Sequence, residues 1–122
     1  MTLGLAAASA NTGLDAMFAT GDLVYLHTAD PGAAGTTSRL NTAGSKTVTW
    51  ASASSGSKAA TSTLPSWTSW ADTNGAVVTH VSLFSSGGTF KGSGALGTSR
   101  TVNTGDTFSL TSLSVACSTI AA

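Results

Sequence analysis

The stretch Ala76–Phe84, AVVTHVSLF, decides the fold class of this chain. Its odd-numbered and even-numbered residues form two rows, and alternation with a period of two is typical of a β-strand. The turn residues SSGG (85–88) then lead into TFKGSGAL (89–96). Glycine supplies the positive φ that tight turns need, so these segments predict an antiparallel β-hairpin.

Strand patterns recur on both sides of this hairpin, roughly every 8–15 residues, as in β-sandwiches and small barrels. DLVYLHTA (22–29) is half apolar on both faces, which predicts a central strand covered on both sides. We therefore expect a mainly β chain, a single-domain antiparallel β-sandwich or small barrel. The remaining strand candidates are KTVTWAS (46–52), KAATSTL (58–64), RTVNTGDTFSL (100–110, with a turn at 103–106) and LSVACSTI (113–120).

A short helix is predicted near the N-terminus. Leu14, Met17 and Phe18 have the spacing of one helix face, Asn11-Thr12 is a candidate N-cap, and Gly21 is placed to end the helix. The alanine-rich residues before Asn11 either extend the helix or form an arm lying on a neighbour. We assign residues 1–20 to an N-terminal arm and short helix, and residues 21–122 to the β-sandwich domain.

Composition limits the possible functions. The 122 residues carry no net charge, and only 8% of them are charged, so the chain lacks the basic patch that nucleic-acid binding needs. No apolar run approaches the ~20 residues of a membrane span. Cys117 is the single cysteine, which excludes an internal disulfide, and we expect it to act as a small core hydrophobe. A neutral surface predicts a protein docked on a partner.

LHTADPG (26–32) is open to two interpretations. Asp30, Pro31 and Gly32 have the chemistry of a turn, because proline presets φ, glycine tolerates the next position, and aspartate accepts backbone N–H groups. Alternatively, His27 and Asp30 pair as a base and its orienting acid. No G-x-S-x-G motif accompanies them. We favour the turn and expect no catalytic residue.

A metal site would need convergence of distant residues. His27 and His80 could meet Asp22, Asp30 or Cys117, but no C-x-x-C, H-x-x-x-H or D-x-D-x-D-G spacing supports this. His80 in mid-strand is more typical of a packed, hydrogen-bonded imidazole. We expect no metal and no cofactor.

The tryptophans of LPSWTSW (64–70) have three possible roles. Trp67 and Trp70 could cap an open end of the core, form a protein interface, or stack on a sugar ring. Of these, core capping is favoured first, a possible interface second, and glycan binding last.

Several segments in the same order are similar to small virion structural proteins of tailed bacteriophages. They are YLHTADPG, VTWASASSG, VVTHVSLF, GGTFKGSGAL and NTGDTFSL, and the resemblance spans residues 12–118. The family includes proteins labelled tail fibre, minor tail, minor capsid or head decoration. The chain departs from the family pattern at Ser82-Leu83-Phe84, where Gly-Leu-Trp is common, and in the longer, tryptophan-rich stretch 65–75.

The resemblance implies a non-enzymatic virion protein that is assembled in the host bacterial cytoplasm. Its expected function is capsid decoration or that of a minor capsid protein, with the major capsid protein or other virion proteins as partners. A tail or tail-fibre subunit and a carbohydrate-binding β-sandwich module are the alternatives. Because a neutral chain with strand edges favours association, we also expect a homo-oligomer, with a trimer favoured.

Overall fold

The computed structural model describes residues 4–61 and 64–117. One helix and eight strands follow each other along the chain. They are α1 (Ala7–Met17), β1 (Asp22–His27), β2 (Lys46–Val48), β3 (Ser57–Ala59), β4 (Ser66–Trp67), β5 (Ala76–Phe84), β6 (Phe90–Val102), β7 (Phe108–Ser109) and β8 (Ser114–Ala116).

The strands form a small antiparallel β-sandwich, as the alternation of side chains predicts. A four-stranded sheet has the order β2-β1-β5-β6, and two short sheets pair β3 with β8 and β4 with β7. Side chains from both layers meet in one core, where Val24, Leu26 and Val78 of the large sheet join Trp67 and Phe108 of the β4–β7 pair. The predicted fold class is confirmed.

The predicted hairpin is present as β5 and β6. Its turn closes through a bond from Ser85 N to Thr89 O (2.8 Å), and Gly88 adopts a φ of 93°. The two-row pattern is wrong in part, because the register shifts between Val78 and His80, where β6 has a bulge. Near the same point the side-chain alternation of β5 reverses, so that Val77 is exposed while Leu83, from the same predicted row, lies in the core.

β1 is the central strand that its sequence predicts. It lies between β2 and β5, and Val24 and Leu26 on its inner face are fully buried. Residues 28–40, the covering segment, fold back beside the end of β1, where Leu40 N donates to Leu26 O (2.9 Å). They cover the other face of β1 with Arg39, whose guanidinium carbon lies 3.9 Å from the ring centre of Tyr25. This cover explains how His27, on the outer face, is also fully buried.

The helix begins earlier than predicted. Ala6 is the N-cap residue and makes no side-chain cap, so the alanine-rich segment extends the helix. Asn11 lies inside α1, where its Oδ1 accepts the N–H of Gly56 (2.8 Å), and its predicted capping role is wrong. Leu14 packs in the core as expected, but Met17 is 48% exposed.

The strands predicted by the weaker patterns are shorter in the structure. KAATSTL contributes only the end of β3, and residues 62 and 63 lie outside the described part. LSVACSTI contains β8, and residues 118–120 are likewise not described. Cys117 is half-buried just beyond β8 and packs against the core, as expected of a small hydrophobe.

Candidate functional site

His27 is the most enclosed polar side chain of LHTADPG. Its Nδ1 lies 2.7 Å from the carbonyl oxygen of Thr37, and its Nε2 lies 2.7 Å from Ser82 Oγ. Because a carbonyl oxygen only accepts hydrogen bonds, Nδ1 carries the proton and donates to it. Nε2 then accepts a hydrogen bond from the hydroxyl group of Ser82. Burial lowers the pKa of His27, which favours this neutral form.

A serine hydroxyl bonded to an imidazole resembles the first half of a nucleophilic pair. Both residues are 0% exposed, however, so no substrate reaches Ser82 Oγ in this structure. The group that orients the imidazole is a backbone carbonyl of the covering segment, and no acid takes part. This arrangement can hold the segment against the sheet, and it offers no open site for chemistry.

Asp30 does not orient His27, so the base-and-acid alternative is wrong. Its Oδ1 accepts the backbone N–H of Gly32 (2.8 Å), which is the local bond that the turn interpretation requires. Gly32 has a φ of 77°, and Pro31 O accepts the N–H of Thr37 (3.0 Å). Asp30, Pro31 and Gly32 thus begin the segment that covers His27.

The two histidines are neighbours in the four-stranded sheet. His27 and His80 face each other across β1 and β5. Both nitrogens of His27 are already bonded, and Nδ1 of His80 lies 2.8 Å from Thr79 Oγ1. In residues 4–61 and 64–117, no three histidine, cysteine or acidic side chains are grouped as metal ligands.

Trp67 and Trp70 lie in the core. Each is 2% exposed, and their indole N–H groups donate to the carbonyls of Gly44 (3.1 Å) and Thr73 (3.0 Å) respectively. Trp67 also packs edge-on against Phe108. Buried rings offer no face to a sugar or a partner, so the structure supports the core-capping alternative at both positions.

Two ion pairs connect elements that are distant in the chain. Lys91 Nζ lies 2.7 Å from Asp22 Oδ1, and the other Asp22 oxygen accepts from Trp50 Nε1 (3.2 Å). Lys58 bonds Asp15 on α1, and this bond lowers the pKa of Asp15. The sequence indicated neither pair, because no local spacing links a lysine to an acid 43 or 69 residues away.

Arg39 forms the outer edge of an aromatic cluster. Its guanidinium carbon lies 3.9 Å from the ring centre of Tyr25 and 4.8 Å from that of Phe84. Phe90 continues the cluster beside Phe84, at 5.3 Å between ring centres. Cation–π contact of this kind stabilises a stacked arginine, so the side chain anchors the end of the covering segment.

These features define a small antiparallel β-sandwich in which buried polar side chains bond loops and strands to one another. Within the described part of the chain, no helix has the length and apolar character needed to cross a bilayer. The chain matches the family described as podophage GP4 fiber I protein gp80 over residues 6–118. It belongs to this family, and it is a phage virion structural protein. Searches of curated proteins and of solved structures found no match.

Proposed function

We propose that this protein is a structural subunit of a bacteriophage tail fibre and that it acts by holding virion parts together without catalysis. The match to the fiber I family across residues 6–118 carries the proposal. It supports the tail-fibre alternative over the capsid decoration expected from the resemblance, because the matched family is described as a fibre protein.

The surface and the interior fit an adhesive role. Polar bonds between residues distant in the chain, from Lys91 to Asp22 and from Ser82 to His27, stabilise the interior by connecting its strands. The chain carries only 8% charged residues and no net charge, so it docks through many small apolar and hydroxyl contacts. Such contacts gain strength when repeated copies bind together.

The proposed partners are other tail proteins of the virion, in place of the major capsid protein. Assembly in the host bacterial cytoplasm is part of the same proposal. Without a membrane or nucleic-acid partner, incorporation depends on protein contacts alone.

Labelling of assembled particles tests the location. A short epitope inserted between Gly87 and Gly88, both exposed in the β5–β6 turn, leaves the sheets intact. Antibody-labelled particles viewed by electron microscopy are expected to carry label on the tail. A second insertion between Thr104 and Gly105, in another exposed turn, controls for a tag that blocks incorporation.

The three outcomes separate the alternatives. Label on the tail from both insertions supports the fibre role. Label spread over the head shell restores capsid decoration and overturns the proposal. Folded, tagged protein that is found free in the lysate from both insertions, and never on particles, contradicts a virion role altogether.

A further inference from the structure

β6 is the edge strand of the four-stranded sheet, and it is the longest strand, with 13 residues. Within the part of the chain that the structure describes, residues 91–101 make main-chain bonds only to β5. Their outward N–H and C=O groups are thus unpaired along most of the strand. An edge of this length without proline is a template for pairing with another chain.

An open apolar groove runs beside this edge, where the two layers of the sandwich separate. We call it the β6 groove, and its volume is about 310 Å³. Its apolar side chains are those of Val81, Leu83, Leu96, Leu110, Leu113 and Val115. The core is therefore incompletely closed along β6.

The groove is open because β6 has glycines where its partner strand has large side chains. Gly92 pairs with Leu83, and Gly94 pairs with Val81. A Cβ built on either glycine meets no atom within 4 Å, and neither glycine has a positive φ. Packing and backbone geometry within one chain therefore do not require glycine at these two positions.

We propose that the β6 edge pairs antiparallel with the β6 edge of a second copy, about a two-fold axis at Gly94. In this register Gly94 lies opposite Gly94, and Leu96 of each copy lies opposite Gly92 of the other. Gly92, Gly94 and Leu96 all line the β6 groove. Leu96 of each copy, which packs against its own core, then also lies against the glycine-lined part of its partner's groove, and the two sheets continue as one.

Charge is compatible with this pairing. In the proposed register Lys91 lies opposite Gly97, and Ser93 lies opposite Ala95, so no like charges face each other. Lys91 is also already neutralised by Asp22 in its own chain. The zero net charge of the chain gives no long-range repulsion between copies.

The size of the surface is close to that of a stable interface. In this register residues 90–98 of the two β6 strands pair, nine on each copy, and the segment 106–115 adds ten more along the line of grooves that β6 borders. Stable interfaces use about 20–30 residues on each side. The proposal deepens the fibre function, on which it rests for the choice of a second copy as the occupant.

The test places charge on the axis. Gly94→Lys brings two lysines face to face in a homodimer, and Gly94→Asp brings two carboxylates face to face. Each is expected to weaken dimerisation about tenfold or more, as measured by sedimentation equilibrium of the purified full chain. An equimolar mixture of the two variants is expected to recover the dimer, because opposite charges then meet.

Ser93→Lys is the matched control, since it adds the same charge to the neighbouring position on the other face of β6. It is expected to leave the dimer within about twofold of the unsubstituted protein, because Ser93 faces Ala95. Circular dichroism of each variant shows whether it remains folded. Should Gly94→Lys unfold the chain, Leu96→Ser, which empties the partner's groove, is expected to weaken the dimer instead.

A protein that stays monomeric at millimolar concentration overturns the inference, as does an oligomer insensitive to folded Gly94→Lys. A trimer, the assembly predicted from the sequence, would also contradict a two-fold axis. The fibre function fails separately, by the location of the label on particles. A monomer found in the tail refutes the pairing alone, and a β6 dimer absent from particles refutes the function alone.

Discussion

Ser82 Oγ lies 2.7 Å from Nε2 of His27, across two strands that are 55 residues apart in the chain, and neither side chain is exposed. The bond joins the outer face of β5 to β1. On the other side of the ring, Nδ1 of His27 donates to the carbonyl of Thr37 in the covering segment. The bond matters for stability because both groups are buried. If one partner is removed, the other has neither water nor a protein group to bond, and the free energy of unfolding falls.

Replacing Ser82 by alanine removes the hydrogen-bond donor to Nε2 of His27. Ser82→Ala leaves Nε2 of His27 buried without a donor, and we expect it to lower the free energy of unfolding by about 1–3 kcal/mol. Ser66→Ala is the control, because Ser66 makes an exposed bond to Ser109. Urea denaturation of both variants measures the difference. Equal, small losses for the two would show that the buried bond contributes little.

Acid is expected to destabilise the protein through His27. Burial places the folded-state pKa of His27 below the ordinary value of 6.5, so the unfolded chain takes up the proton first. Stability is therefore complete above about pH 6.5 and falls as the pH drops below it, by up to about 1.4 kcal/mol per pH unit. Arg39 and His80, which face this region, oppose protonation as well.

Urea midpoints measured between pH 7 and pH 5 test this prediction. His27→Gln is expected to flatten the profile, whatever its stability at pH 7. A profile that keeps its full slope in His27→Gln would assign the acid sensitivity to another group.

The ion pair between Lys91 and Asp22 is expected to stabilise the fold. Asp22 is 2% exposed, so Lys91→Met leaves a buried carboxylate without its cation, although Ala19 and Trp50 still donate to it. We expect a loss of about 3 kcal/mol, at the low end for buried pairs because Lys91 is partly exposed. Lys46→Met, at an exposed lysine, is expected to change stability by less than about 0.5 kcal/mol. A similar small effect for Lys91→Met would contradict the prediction.

Local patterns predicted local structure well, and they predicted pairing poorly. Alternation in residues 76–84 correctly predicted β5, and the glycines after it predicted the turn. The bulge opposite Thr79 depends on the register of β6, for which no short-range pattern exists. The contact of Ser82 with His27 has the same origin, because a register shift of one residue would turn either side chain to the other face.

Local composition did not predict the burial of the two tryptophans. Serine and threonine surround Trp67 and Trp70, which favours a loop, and both indoles are nevertheless buried. Trp67 lies on β4 and Trp70 follows it, and both rings can be buried because backbone carbonyls at Gly44 and Thr73 accept their N–H groups. Thr73 is three residues from Trp70, but Gly44 is 23 residues from Trp67, and its position follows from tertiary packing that the local sequence does not specify.

Truncation of either tryptophan is expected to destabilise the fold. Trp67→Ala or Trp70→Ala removes a core side chain and should lower the free energy of unfolding by about 3–5 kcal/mol, as measured by thermal or urea unfolding. Val77→Ala, at a residue that is 43% exposed, is the control and should cost far less. A glycan-array signal that disappears in folded Trp67→Phe would instead show that the ring leaves the core to bind sugar.

Gly35 and Phe90 provide a test of close packing between the covering segment and β6. A Cβ on Gly35 would clash with Cδ1 of Phe90, and Gly35 also has a φ of 73°. Gly44 has nearly the same φ, 70°, but its Cβ would meet no atom within 4 Å. The two positions therefore share the backbone strain and differ in the clash.

Alanine at each glycine separates the two effects. Gly44→Ala is expected to cost about 1–2 kcal/mol, from left-handed backbone strain alone. Gly35→Ala is expected to cost a further 1–3 kcal/mol or so, because the Phe90 ring has to move within a packed cluster. Phe90→Leu in the same chain should reduce this extra cost, since a smaller side chain leaves room for the methyl group. Equal losses at Gly35 and Gly44 in urea unfolding would mean that the ring moves freely and that the cluster does not hold the covering segment in place.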